Sequence, residues 1–192
     1  MKCFFLLLSL WTVLEAKTVF WFTGLPCSGK TTIAEHVCER FPQFIHLDGD
    51  EIRRTLHTNL GFSIQDRQKN LERIAHLVLS RLETAEISLV TTISPMESHR
   101  NIVRALFEEA GIDFYIVYVK AALETCIERD VKGMYAKALR GEIENFTGIS
   151  SPYDPPMTPD LVFETEKESL QEIVKKFEQF LSLTSEATSN TI

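Results

Sequence analysis

A chain of 192 residues, 44% hydrophobic and 24% charged, has the make-up of one globular domain large enough to bury a sizeable core. A formal net charge of -7 and a pI of about 5.3 exclude a broad nucleic-acid-binding face, which needs clustered Lys and Arg. A small anionic ligand remains possible, because a pocket needs only a few local cations.

The N-terminal stretch MKCFFLLLSLWTVLEA, residues 1–16, carries one Lys and then an apolar run. It is signal-like but too short to span a bilayer comfortably, and LEA is a poor cleavage site. Cutting there would leave the first core strand without a lead-in. The expectation is an apolar lead-in or an early start site, with a cytoplasmic protein and no membrane contact. A secretory signal is the alternative. Cys3, Cys27, Cys38 and Cys126 form no CxxC pair and have no zinc-spaced His, so they are expected as reduced thiols.

TVFWF (18–22) reads as the first strand, and TIAEHVCERF (32–41) as a helix stopped by Pro42. FIHL (44–47) is a short strand ending at DGD. Residues 66–84 hold Leu71, Ile74, Leu77, Val78 and Leu82 at helical spacing. ISLVTTI (87–93) is a strand, ESHRNIVRALFEEAG a helix with a glycine stop, DFYIVYV (113–119) a strand, and 121–129 a helix. Residues 130–160, rich in Pro and Gly, break the pattern. DLVFET (160–165) is the last strand. ESLQEIVKKFEQFL is the closing helix, with Leu170, Ile173, Val174, Phe177 and Leu181 on one face. Residues 183–192 are expected as a disordered tail, which leaves a domain over 17–182. Strands alternating with helices predict an α/β fold with a parallel sheet of about five strands, covered on both faces. The motifs that follow the strands should then converge at the carboxyl edge.

One of these motifs is complete. Gly24-x-x-x-x-Gly29-Lys30-Thr31 is a P-loop between a strand and a helix. Its backbone N–H groups can cradle phosphate, Lys30 adds a point charge, and the Thr31 hydroxyl can ligate Mg²⁺. Gly24, Leu25, Pro26, Cys27, Ser28, Gly29, Lys30, Thr31 and Thr32 form the candidate ATP-binding set. The alternative is a loop with only a packing role. In DGD, Asp48 and Asp50 are two apart at a strand end; one can steer Mg²⁺ and the other can accept a hydroxyl proton. The alternative is a turn that caps the next helix. Together these motifs indicate a small phosphotransferase acting on a hydroxyl.

GLPCSGKTTIA, LDGDEIRRTLHTNLGFSIQDRQKNLERIA, ISP, RDVKGMY and GEIENFTGISSPYDPP occur in this order. Together they resemble the adenylylsulfate kinase family, over residues 17–181. The resemblance implies a three-layer P-loop kinase fold with a mobile lid at 130–155. It implies transfer of the γ-phosphate of Mg-ATP to the 3′-hydroxyl of adenosine 5′-phosphosulfate in sulfate activation, and a homodimer. It puts Asp50 near that hydroxyl with Asp48 beside it. Arg53, Arg67 and Asn70 would hold the phosphosulfate and ribose, and Phe62 and Phe146 would sandwich the acceptor adenine. Ile93 and Ser94 of ISP join the acceptor set, and Ser94 matches a serine described in the family as a phosphorylated intermediate. Lys132 falls in the lid and Arg129 near the donor adenine.

The residues themselves leave alternatives open. Arg53 and Arg67 could lie on a solvated helix face, the default for Arg54 and Arg73. Phe62 and Phe146 could fill core. Ser94 could cap a helix, since direct in-line transfer needs no covalent step. The chain also departs from the family pattern: Val131 stands for Pro, Ala136 and Leu139 for basic residues, Met96 and Glu97 for an aromatic and a basic residue, and Ala121-Ala122 for Thr-Pro. Two other readings compete. One is a kinase of the same fold with another nucleotide-linked acceptor, such as a modified pyrimidine diphosphate. The other is a nucleotide-binding partner subunit without turnover.

Overall fold

A computed structural model describes residues 17–82 and 87–189. The lead-in 1–16 and Cys3 lie outside the described residues. Five strands form one all-parallel sheet in the order β2-β3-β1-β4-β5. They are β1 (Thr18–Thr23), β2 (Ile45–Asp48), β3 (Ile87–Thr91), β4 (Asp113–Lys120) and β5 (Leu161–Glu164). The helices are α1 (Lys30–Arg40), α2 (Gly49–Thr55), α3 (Ile64–Arg81), α4 (Glu97–Glu109), α5 (Leu123–Arg129), α6 (Met134–Leu139) and α7 (Leu170–Ser189).

The central strand shows why the sheet is sandwiched. Every residue of β1 is buried, as a parallel strand covered on both faces requires. Its side chains alternate between two cores. Val19 and Trp21 pack with Leu71, Ile74 and Val78 of α3 and with Val103 and Phe107 of α4. Phe20 and Phe22 pack with Ile33 and Val37 of α1 and with Ile173, Phe177 and Leu181 of α7. Each such aromatic or aliphatic side chain contributes about 1.5–3 kcal/mol on burial. The result is a three-layer α/β fold.

Local chemistry sets the helix starts. The Ser63 hydroxyl accepts the Asp66 N–H, so α3 begins two residues before the expected 66. The segment 130–160 is not wholly irregular. The Asp130 carboxylate accepts N–H groups of Tyr135 and Ala136 at 2.9 Å and so nucleates α6. The closing helix continues to Ser189, so the expected tail boundary at 183 falls inside α7. Residues 190–192 lie outside the described residues. Cys27, Cys38 and Cys126 are free thiols.

Candidate active site

The P-loop leaves β1 at Gly24, where a β-carbon would stand 2.4 Å from the Val119 carbonyl oxygen. Only glycine lets the loop lie this close to β4. Gly29, with φ of 105°, opens α1, and no side chain caps that helix. The free N–H groups at such an N-terminus suit a phosphate. The Lys30 ammonium lies over the loop, donating to the Gly24 carbonyl at 2.9 Å and to the Leu25 carbonyl at 2.7 Å. Burial lowers its pKa to about 8, with Asp50 offsetting part of the effect.

Asp48 is the junction of the site. Its Oδ1 accepts the N–H groups of Asp50 and Glu51, so it caps α2. Its Oδ2 accepts the Thr31 hydroxyl at 2.8 Å and the Thr91 hydroxyl at 3.1 Å. Burial works to raise this carboxyl, but the hydrogen bonds outweigh it and hold the pKa below the usual carboxylate value. Asp48 is therefore a helix cap, and its other carboxylate oxygen touches the candidate metal-ligating hydroxyl of Thr31. Gly49 between the carboxylates is hemmed in, since a β-carbon there would lie 2.9 Å from the Thr91 carbonyl oxygen. Asp50 is exposed, and its carboxylate lies 3.4 Å from the Lys132 ammonium of the 130–155 segment.

Among the described residues no group of three His, Cys, Asp or Glu could hold a metal on its own. The hydroxyl–carboxylate pair of Thr31 and Asp48 fits Mg²⁺, which takes one or two protein ligands and completes its shell with water and phosphate.

The candidate acceptor residues gather on the β2–β3 flank. Phe62 is 54% exposed, so it does not fill core. The Arg53 guanidinium lies 4.3 Å from its ring centre and Arg67 5.7 Å. Arg53 also donates to the Gly61 carbonyl. Arg67 and Asn70 are buried, so Arg67 is not on a solvated face. Arg67 Nε donates to the Phe62 carbonyl at 3.1 Å and Nη2 to the Asn145 carbonyl. The guanidinium thereby ties together the two segments that carry Phe62 and Phe146. The Asn70 Oδ1 accepts a hydrogen bond from Nδ1 of buried His57 at 2.9 Å. Phe146 is half-buried and stands edge-on to Tyr135, with ring centres 4.9 Å apart. Arg73 is bonded to exposed Asn59 and takes no part in this group.

Ser94 is buried, has a left-handed φ of 43°, and its Oγ has no partner among the described residues. It does not cap α4: the N-cap is Met96, whose side chain makes no cap bond. The Ile93 carbonyl, beside it, accepts the Thr23 hydroxyl at 2.7 Å. Arg129 braces the other flank, donating to the Thr165 hydroxyl and carbonyl at 3.1 Å and to the Cys27 and Ser28 carbonyls at 3.4 Å. Ala122, the N-cap of helix α5, offers no side-chain cap; Glu166 accepts the Ala122 N–H at 2.8 Å.

Sequence reading passed over Arg100, Thr91, Tyr153 and Thr165. Arg100 is fully buried and meets Glu97, Ser94 and Asp154. Its signal was available: Arg100, Val103 and Phe107 share the buried stripe of α4, and a charge on such a stripe calls for partners. Tyr153, which bonds Thr23 at 3.1 Å across the fold, had no local signal.

Comparison with known proteins bears on the family and the fold. The family model described as adenylylsulphate kinase matches residues 16–164. The adenylyl-sulfate kinase of Thermodesulfovibrio yellowstonii is 43% identical over 167 residues, 85% of this chain and 82% of that protein. The adenylyl-sulfate kinase of Acaryochloris marina is 44% identical over 169 residues, 86% of this chain and 82% of that protein. Among solved structures, the Mycobacterium tuberculosis APS kinase CysC in complex with AMPPNP and APS superposes with a TM-score of 0.83 at 39% identity. That match covers 86% of this chain and 98% of the other. On the family match and these relatives, the chain belongs to the adenylylsulfate kinase family.

Proposed function

We infer that the protein is an adenylyl-sulfate kinase, transferring the γ-phosphate of ATP to the 3′-hydroxyl of adenosine 5′-phosphosulfate. The observation that carries the acceptor assignment is the Arg67 guanidinium. It donates to the carbonyls of Phe62 and Asn145 and so ties the segment that carries Phe62 to the segment that carries Phe146. Flat apolar partners beside guanidinium groups suit an adenine nucleotide with anionic oxygens.

In this reading the P-loop amides and Lys30 hold the donor phosphates, and Lys30 exchanges its carbonyl partners for phosphate oxygens. Arg129 steadies the loop from the donor side. Thr31 and Asp48 would hold Mg²⁺, which would supply neutralisation of phosphate charge. Asp50 accepts the proton of the attacking 3′-hydroxyl, and Lys132 moves from Asp50 to the transferring group. Arg53, Arg67, Asn70, Ile93 and Ser94 hold the acceptor, with its adenine between Phe62 and Phe146. Transfer is direct. A serine nucleophile needs a base within hydrogen-bond reach, and the Ser94 hydroxyl has no such partner among the described residues. Closure of 130–155 over both nucleotides excludes water.

The protein works as a homodimer in a cytoplasm that supplies ATP; light scattering tests the first statement. The APS kinase of Thiobacillus denitrificans is described as hexameric. Among the described residues no helix is long and apolar enough to cross a membrane. The deciding assay is ADP release from Mg-ATP with and without adenosine 5′-phosphosulfate, beside Asp50→Ala. Acceptor-dependent turnover lost in the variant is expected. ADP release indifferent to that acceptor, or seen only with pyrimidine analogues, refutes the reading.

A further inference from the structure

Arg100 is the largest fully buried cationic side chain among the described residues, and the catalytic scheme above does not use it. Its side chain is 0% exposed. Nη1 donates to the Ser94 carbonyl at 2.6 Å and Nη2 to the Asp154 carbonyl at 2.6 Å. Nε donates to the Glu97 carboxylate at 3.1 Å, and Nη2 also reaches that carboxylate. The Tyr153 ring lies beside the guanidinium, 6.0 Å from its carbon. The Asp154 N–H in turn donates to the Pro95 carbonyl at 2.7 Å.

These bonds have a common consequence. Segment 145–154 carries Phe146 and is held at both ends by a buried arginine. Arg67 of α3 takes the Asn145 carbonyl and Arg100 of α4 takes the Asp154 carbonyl. Between the ends the segment is closed on itself, with the Gly148 N–H donating to the Ser151 carbonyl at 2.8 Å. Arg100 also grips the one residue of the ISP turn with a left-handed backbone, Ser94 at φ 43°. A non-glycine residue stays in that region only where its surroundings over-determine it. Burying a guanidinium is unfavourable unless its donors are matched, and here a carboxylate and two carbonyls match them. Glu97, a departure from the family pattern, is the carboxylate that makes this burial possible.

We propose that Arg100 is a positioning residue for the acceptor: by fixing the Ser94 turn and the Asp154 end of segment 145–154, it sets where Phe146 stands. The proposal rests on reading Phe146 as an acceptor contact. The donor side is anchored separately, through the pairing of β1 and through Arg129.

The test compares wild type with Arg100→Lys, which keeps a charge but cannot bridge two carbonyls and a carboxylate. A second variant, Arg100→Met with Glu97→Gln, removes both charges at similar volume in case the first folds poorly. The expected result is a rise of about tenfold or more in KM for adenosine 5′-phosphosulfate, with KM for Mg-ATP changed about twofold or less. Hydrogen exchange of the Asp154 amide in the nucleotide-free protein should accelerate, while the β1 amides stay protected. Equal weakening of both substrates, or unchanged acceptor KM, overturns the proposal. If wild type does not use this acceptor, the functional reading fails instead, and the exchange arm still decides: an unaltered Asp154 amide overturns the positioning role.

Discussion

Lys30 gives the most quantitative prediction, because the fold presses on its charge. The ammonium is buried against the Gly24 and Leu25 carbonyls, and its pKa falls from 10.5 to about 8. That drop disfavours the charged form by about 3 kcal/mol in the free protein. Donor phosphates bind the charged form, so kcat/KM for Mg-ATP, which reports the free enzyme, should fall about tenfold per pH unit above about 8. In the bound complex the phosphates favour the ammonium, so kcat should hold to higher pH. Lys30→Arg should lose the alkaline limb, at a lower plateau, because a guanidinium stays charged. Folding gives a second reading with its own sign. Between about 8 and 10.5 the unfolded chain binds the proton that folded Lys30 has lost, so nucleotide-free stability from this group rises with pH. Melting curves of wild type and Lys30→Met across that window would show the rise in wild type alone. A wild-type kcat/KM for Mg-ATP that stays flat to pH 10 in the assay refutes the reasoning.

Asp48 should separate into two functions. Asp48→Asn keeps an oxygen for the N–H groups of Asp50 and Glu51, so its melting temperature should stay near wild type while kcat falls about a hundredfold or more; Asp48→Ala should also lose about 1 kcal/mol of stability with the cap, measured by urea unfolding. The phenylalanines should differ in the same way. Phe62→Ala, at an exposed ring, should raise acceptor KM about tenfold with stability changed by less than about 1 kcal/mol. Phe146→Ala should raise KM and also lower stability by about 1–3 kcal/mol, because it packs on Tyr135.

The sheet was readable because its central strands β1 and β3 are buried on both faces: the unbroken apolar run of β1 has few other interpretations. The P-loop and DGD were readable because each is a local pattern whose chemistry follows from its own residues. Helix α6 was not, since its start depends on the Asp130 carboxylate rather than on apolar periodicity. The surroundings of Phe62 and Ser94 needed the third dimension. Sequence allowed Phe62 as core filler, and only its exposure under Arg53 removes that option. Sequence allowed Ser94 as a helix cap, and the shift of the N-cap to Met96 removes it. Arg100 and Tyr153 act across long sequence separations, joining α4 and β1 to segment 145–154, which no local window contains.

The two glycines that admit no β-carbon have a joint consequence. Gly24 seats the phosphate loop on the end of β4, and Gly49 seats the carboxylate turn on the end of β3. The span between them is therefore a dimension of the sheet itself. Strand β2 is separated from β1 by β3, so loop and turn stand about two strand spacings, or roughly 10 Å, apart. The Thr31 and Asp48 side chains close that interval at 2.8 Å. Were a cation to take the place of their hydrogen bond, the contents of the gap would change while the sheet preserved its width.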